Sequence, residues 1–193
     1  MWDWSKKRLL TTFSNGSVPG YGVSSLHVIN QWQGGMILAG SADGAAKLYR
    51  NYDPEAGAGP VQLVSSFRVL GETVAVKRGA GLVLDWRQPG GTLLAGGDAR
   101  VIKLWDAHTE TAMMDLDTHA DAPCGALASE HGGAGATFLA GFGDGGVRLL
   151  DRRMEEDDAV VRAYRAHGAW VQSVRWHSFY GGQFFTARCV ARA

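Results

Sequence analysis

Three stretches of the chain repeat one pattern: small residues, a tight acidic turn, then a short apolar run ending in an aromatic or its substitute. The first runs from Leu38-Ala39-Gly40-Ser41-Ala42-Asp43-Gly44 to Leu48-Tyr49. The second runs from Leu94-Ala95-Gly96-Gly97-Asp98 to Leu104-Trp105-Asp106, and the third from Leu139-Ala140-Gly141-Phe142-Gly143-Asp144-Gly145 to Leu149-Leu150-Asp151. Trp2-Asp3 repeats the ending near the start of the chain. The endings fall at 2, 49, 105 and 150, in steps of 47, 56 and 45. A period of roughly 40–45 residues with this ending marks the four-stranded blade of a radial β-propeller. One blade cannot bury both its faces, so the repeat demands stacked sheets with the core between neighbours.

Glycine supplies the punctuation. The 27 glycines, against 5 prolines, cluster beside apolar runs, where tight turns need them. Strands are predicted over 24–29, 35–40, 45–49, 62–67, 81–86, 92–96, 101–105, 111–115, 124–128, 137–141, 147–150, 160–164, 171–176 and 183–187. The fold expected is all-β: an incomplete WD40-type β-propeller of about three to four blades, truncated at both ends. Residues 1–187 form the partial propeller and residues 188–193 a divergent tail. At Asp43 and Asp144 the acid and the following glycine predict a two-residue hairpin turn with positive φ. In the second copy the aromatic comes seven residues after Asp98 instead of six, which predicts one extra residue there, a bulge. Segments 51–60 and 151–158 read as polar insertions on the surface.

Composition narrows the function classes. With 19 basic and 19 acidic residues the net charge is zero, so the basic surplus of a nucleic-acid binder is missing. Lys6-Lys7-Arg8 reads as a solvated strand end. Cys124 and Cys189 stand apart, without the paired spacing of a disulfide framework or a zinc site. No apolar stretch approaches the roughly 18 residues that span a bilayer, and the N-terminus lacks a secretory pattern. The expected location is the cytoplasm, with any endomembrane association peripheral and made through partners. No nucleophile elbow or phosphate loop is present, and the six histidines are never spaced as a helical metal pair. The adjacent acids Glu155, Glu156, Asp157 and Asp158 lack the alternation of a calcium loop. No catalytic residue, cofactor or metal is expected.

Two residue sets remain. Trp2, Asp3, Ser41, Asp43, Tyr49, Asp98, Trp105, Asp106, His119, Asp144, Asp151 and His167 fit the structural positions of such blades, where a His, Asp, hydroxyl and Trp set can join turns to strands in one network. The first copy has no loop histidine, the third replaces hydroxyl and Trp by Phe142 and Leu150, and the last lacks the acid. Trp32, Asp53, Pro54 and the acids Glu155 to Asp158 sit in predicted turns or loops and are the candidate partner-binding residues.

Longer strings carry a resemblance. Trp2-Asp3-Trp4 with Arg8-Leu9-Leu10-Thr11-Thr12-Phe13-Ser14-Asn15-Gly16, Lys77-Arg78-Gly79-Ala80-Gly81-Leu82-Val83-Leu84-Asp85-Trp86, Trp105-Asp106-Ala107-His108-Thr109-Glu110-Thr111 and Val161-Arg162-Ala163-Tyr164-Arg165-Ala166-His167 resemble the C-terminal propeller of the raptor family over about residues 1–187. The resemblance implies a non-catalytic scaffold of target-of-rapamycin (TOR) complex 1, acting in nutrient and growth signalling, whose partners are components and regulators of the kinase complex. It implies no nucleic acid, membrane span or small-molecule substrate. The caspase-like and helical-repeat regions of that family have no counterpart in this sequence. The alternatives are a WD40 adaptor of another complex, a propeller enzyme with channel acids, and a binder of nucleic acid or histone tails.

Overall fold

The computed structural model describes residues 1–17, 19–32, 34–53, 59–71, 79–130, 135–165 and 167–189. Its strands follow the repeat. A short pair, β1 (Trp2–Asp3) and β2 (Arg8–Leu9), precedes a first four-stranded sheet of β3 (Val23–Ile29), β4 (Met36–Ser41), β5 (Ala45–Arg50) and β6 (Gln62–Arg68). The second sheet is β7 (Leu82–Arg87), β8 (Thr92–Gly97), β9 (Val101–Asp106) and β10 (Thr111–Asp117). The third is β11 (Cys124–Ser129), β12 (Thr137–Phe142), β13 (Gly146–Asp151) and β14 (Val160–Arg165), and β15 (Val171–Trp176) pairs with β16 (Phe184–Arg188) beyond it. Every pairing is antiparallel, in sequence order, as consecutive hairpins require.

Sequence explains which strand lies where. The second strand of each four-stranded sheet packs against the first strand of the next sheet, β4 on β7, β8 on β11 and β12 on β15, and β8 (Thr-Leu-Leu-Ala-Gly-Gly) is buried along its whole length. Small residues permit the close approach: a Cβ at Gly40 would sit 3.1 Å from Leu84 Cδ1 of the next sheet. Outer strands such as β6 alternate partly buried and exposed positions, the pattern of a half-solvated strand.

The core lies between sheets. Ile29, Leu38, Val69 and Leu70 meet Leu82, Leu84 and Leu93 between the first and second. Leu94, Ile102, Leu104 and Leu116 meet Leu127, Phe138, Phe142 and Leu150 between the second and third. Ala126, Leu139 and Val147 meet Val171 and Val174 of the last pair. Among the described residues the arc is open, and no core cluster joins β1–β2 to β15–β16.

Register corrects two turn expectations. The hairpin loops at 42–44, 98–100 and 143–145 all have three residues. Gly44 N–H donates to Ser41 O at 3.0 Å and Gly145 N–H to Phe142 O at 3.1 Å, with φ of +83° and +86° at the glycines. The acid therefore occupies an ordinary conformation, and only the glycine after it needs positive φ. The second sheet has no extra residue there: β8 and β9 pair without a shift from Thr92–Asp106 to Ala95–Lys103. Asp98 instead stands one place earlier in a loop of the same length. The bulges lie elsewhere, at the start of the inner strand (Val23/Ser25, Cys124/Ala126, Val171/Ser173) and on the outer pairing of each whole sheet, where they add twist.

Candidate interaction site

The Trp-Asp endings serve a shared local purpose. Asp3 pairs with Arg8 as Asp106 pairs with Thr111, so β1–β2 reproduces the end of a third strand and its outer partner. Each aspartate caps the hairpin that follows it. Asp3 Oδ1 accepts from Lys6 N–H at 3.0 Å and Ser5 Oγ at 2.6 Å, and Asp106 Oδ1 accepts from His108 N–H at 2.8 Å. Asp151 accepts from Arg153 N–H at 2.9 Å and, at both oxygens, from the Arg153 guanidinium. These bonds stabilise the charged form. The Ser5 hydroxyl and Lys6 N–H hold Asp3 down to about 2, the His108 N–H lowers Asp106, and the Arg153 side chain lowers Asp151.

The tight-turn acids divide. Asp43 and Asp144 each accept from the backbone N–H two residues on, Ala45 at 3.1 Å and Gly146 at 2.8 Å. Asp98 is buried and reaches out of its own turn, taking Ala80 N–H at 2.8 Å and Gly81 N–H at 2.9 Å before β7. The single-place displacement thus converts a local cap into a clamp on the inner strand.

The expected turn-to-strand network is present in pieces. In the first sheet Asn15 takes the position left without a histidine. Its Nδ2 donates to Ser41 Oγ at 2.6 Å, and the Tyr49 hydroxyl lies 2.9 Å from its Oδ1. Seven residues separate Asn15 from the inner strand β3, against four between His119 and β11 and three between His167 and β15, so spacing did not mark it. His167 makes a comparable bond to Thr186 Oγ1 at 2.8 Å, and its N–H reaches Gly145 O. His119 is exposed and its Nε2 meets the Asp157 carbonyl at 2.8 Å, apart from Asp144. Trp105 stacks against Phe67 at 5.4 Å, with its indole N–H buried and unpartnered. Trp2 is exposed.

The partner-binding candidates are dispersed. Trp32 is 93% exposed at the β3–β4 turn. Asp53 is half-buried, and Pro54 lies outside the described residues. Glu155, Glu156, Asp157 and Asp158 are all exposed, in a 3-10 turn (Glu156–Asp158) that packs against β10.

Catalytic chemistry finds little support in the geometry. Ser25 Oγ lies 3.1 Å from His27 Nε2, and Asp85 is near enough to act on that ring. Yet all three are structural stitches. Ser25 accepts Leu84 N–H, His27 bonds the Leu84 backbone, and Asp85 Oδ2 accepts Ser129 N–H at 2.8 Å. Burial lowers the His27 pKa more than Asp85 raises it. Burial also pushes the Cys124 thiol up to about 12, so it stays protonated. Among the described residues no group of three His, Cys, Asp or Glu is placed to hold a metal ion. No helix of the described residues is long and apolar enough to cross a membrane.

Known proteins give the arrangement a context. No family model matches the chain. The Saccharomyces cerevisiae protein named target of rapamycin complex 1 subunit KOG1 is 37% identical over 178 residues, which are 90% of this chain and 11% of that protein. The Schizosaccharomyces pombe target of rapamycin complex 1 subunit mip1 is 32% identical over 92% of this chain and 13% of its own length. The crystal structure of Chaetomium thermophilum Raptor superposes with a TM-score of 0.82 at 34% identity, covering 97% of this chain and 17% of that one. The chain thus spans between about a tenth and a sixth of these relatives.

Proposed function

This chain belongs to the raptor family, as a segment of its WD40 propeller, and on that premise we propose that it is a non-catalytic protein-interaction module of a target of rapamycin complex 1 subunit. The observation that carries the reading is the superposition on Raptor over nearly the whole chain at 34% identity. The polar groups support it from within: the acids and histidine that could do chemistry are engaged in capping and stitching bonds. A rigid stack of sheets then leaves its connecting loops to contact partners.

The loops proposed to do so are 51–60, with Asp53 and Pro54, and 151–158, with Glu155, Glu156, Asp157 and Asp158. Trp32 adds an exposed aromatic of the kind enriched at binding hot spots. The site of action is the cytoplasm. The test is recovery of the kinase complex by the full-length subunit carrying either loop replaced by a neutral linker. Recovery should fall with one or both replacements, and replacing the acidic loop should also make association less sensitive to salt. Undiminished recovery with both loops replaced places the contact elsewhere.

A further inference from the structure

Successive sheets meet in the same way, and two of their seams differ at one place. Ala107 and Arg152 directly follow the last aspartates of β9 and β13. Ala107 N–H donates to Gly91 O and Arg152 N–H to Ala136 O, both at 3.0 Å. Thr92 pairs with Asp106 as Thr137 pairs with Asp151, so Ala107 and Arg152 hold one position in consecutive sheets. Between the second and third sheets the Arg152 side chain crosses the seam and donates to Thr92 Oγ1 at 3.3 Å. About 10 Å³ of open space is left there. Between the first and second sheets Ala107 has no side chain long enough to cross, and a cleft of about 140 Å³ remains.

The lining of this cleft sets what can enter it. Ile29, Met36, Leu48, Phe67 and Trp86 wall it, and among the described residues no aspartate, glutamate, lysine or arginine lines it. Ile29 pairs with Met36 as Arg87 pairs with Thr92, so two polar positions of the second seam are apolar in the first. A charged group entering here would lose its hydration without gaining a counter-charge. A bulky apolar side chain meets no such cost. The volume is close to that of a dry engineered cavity that admits benzene, which matches a leucine or phenylalanine side chain. The mouth is held open by bonds across the seam. Gln88 Nε2 donates to Asn30 Oδ1 at 2.6 Å, and Gln88 Oε1 accepts from Asn30 N–H and Trp86 Nε1, both at 3.0 Å. The turn from Asn30 to Met36 also carries the exposed Trp32, so the mouth is continuous with surface already proposed to meet a partner.

We propose that the cleft between the first and second sheets receives a leucine or phenylalanine side chain of a protein partner, which closes this seam as Arg152 closes the next. An anchor seated in a preformed pocket costs little reorganisation and carries a large share of an interface's energy. The inference deepens the scaffold reading and rests on it, yet the two fail separately. None of the residues lining the cleft lies in segments 51–60 or 151–158, and the measurement needs no kinase complex.

The test is methyl NMR of the 193-residue chain, titrated with the N-acetyl amides of leucine, phenylalanine, alanine, aspartate and arginine. The leucine or phenylalanine amide should shift the methyl signals of Ile29, Met36 and Leu48. Its affinity should exceed that of the other three by about tenfold or more. Ala107→Leu and Ala107→Met fill the cleft from within and should abolish the shifts. Ala107→Gly leaves the cleft open and should keep them, with far-UV circular dichroism reporting the fold of each variant. A phage-displayed decapeptide library, selected on the chain with excess Ala107→Leu chain as competitor, then reads the partner. Enriched peptides should share one leucine or phenylalanine, whose change to alanine weakens binding by about tenfold or more. The proposal is overturned if leucine and phenylalanine shift these methyls no more than alanine does, or if the shifts persist in both filled variants. It is equally overturned if no peptide is enriched, or if the enriched peptides share no bulky apolar residue.

Discussion

At the scale of the residue, the aspartates of the repeat are caps whose value depends on charge. Asp3, Asp106 and Asp151 all have pKa values below the ordinary carboxyl range, through N–H and O–H donors in the next turn. A carboxylate depressed in the folded state stabilises fully above its unfolded value, about 4, and the benefit is lost as pH falls through the folded value. For Asp3 that lower limit is about 2. Chemical denaturation between pH 6 and pH 2 should therefore show stability falling below about pH 4. The fall should be shallower in the triple Asn variant of these positions; equal slopes would remove the caps from the acid response. The Asn15 network makes a second prediction. Asn15→Ala strands both Ser41 and Tyr49 and should cost about 2 kcal/mol, whereas Tyr49→Phe removes one hydroxyl and should cost about 1. Denaturant midpoints of the two variants and their double mutant measure the coupling, and strictly additive effects would show that no network exists.

At the scale of the element, the turns are tied to neighbouring sheets. A Cβ at Gly145 would overlap the His167 carbonyl, and Gly145 also has φ +86°. Gly182 has φ +79° with open space around it. Both substitutions to alanine strain the backbone by about 1–2 kcal/mol, but only Gly145→Ala must also push the β14–β15 connection away. Gly145→Ala should lower the thermal midpoint by several degrees more than Gly182→Ala, and equal shifts would mean that the turn is uncoupled from the next sheet. These ties also mark the limits of sequence reading. Strand order and nearly every strand were legible, since alternation and glycine punctuation are local signals. The position of the acid within a loop was not: six or seven residues to the aromatic look like a length difference, and only register shows that Asp98 moved while the loop stayed the same. Asn15 was hidden because its partners Ser41 and Tyr49 lie 26 and 34 residues away.

At the scale of the whole molecule, stability is a chain of nearest-neighbour terms. The second and third sheets are each covered on both faces by core clusters, whereas β15–β16 takes part in one. Exposure tracks this order: Phe185 of β16 is 64% exposed and Trp2 of β1 is 70% exposed, while Leu82, Leu93 and Leu139 are almost fully buried. In such a stack the free energy of local opening rises with the number of packed interfaces, so different parts open at different free energies. Hydrogen exchange of the isolated chain, followed by mass spectrometry, should accordingly find slow amides in β8, β11 and β12. Amides of β1, β2 and β16 should exchange far faster, by factors of about a hundred or more for a difference of roughly 3 kcal/mol in opening free energy. Mild denaturant should narrow this gap, because the larger openings that expose β8, β11 and β12 uncover more surface and lose free energy faster than local fraying does. Uniform protection across all the strands, collapsing at a single denaturant concentration, would mean that the sheets fold as one cooperative unit and that the additive picture is wrong.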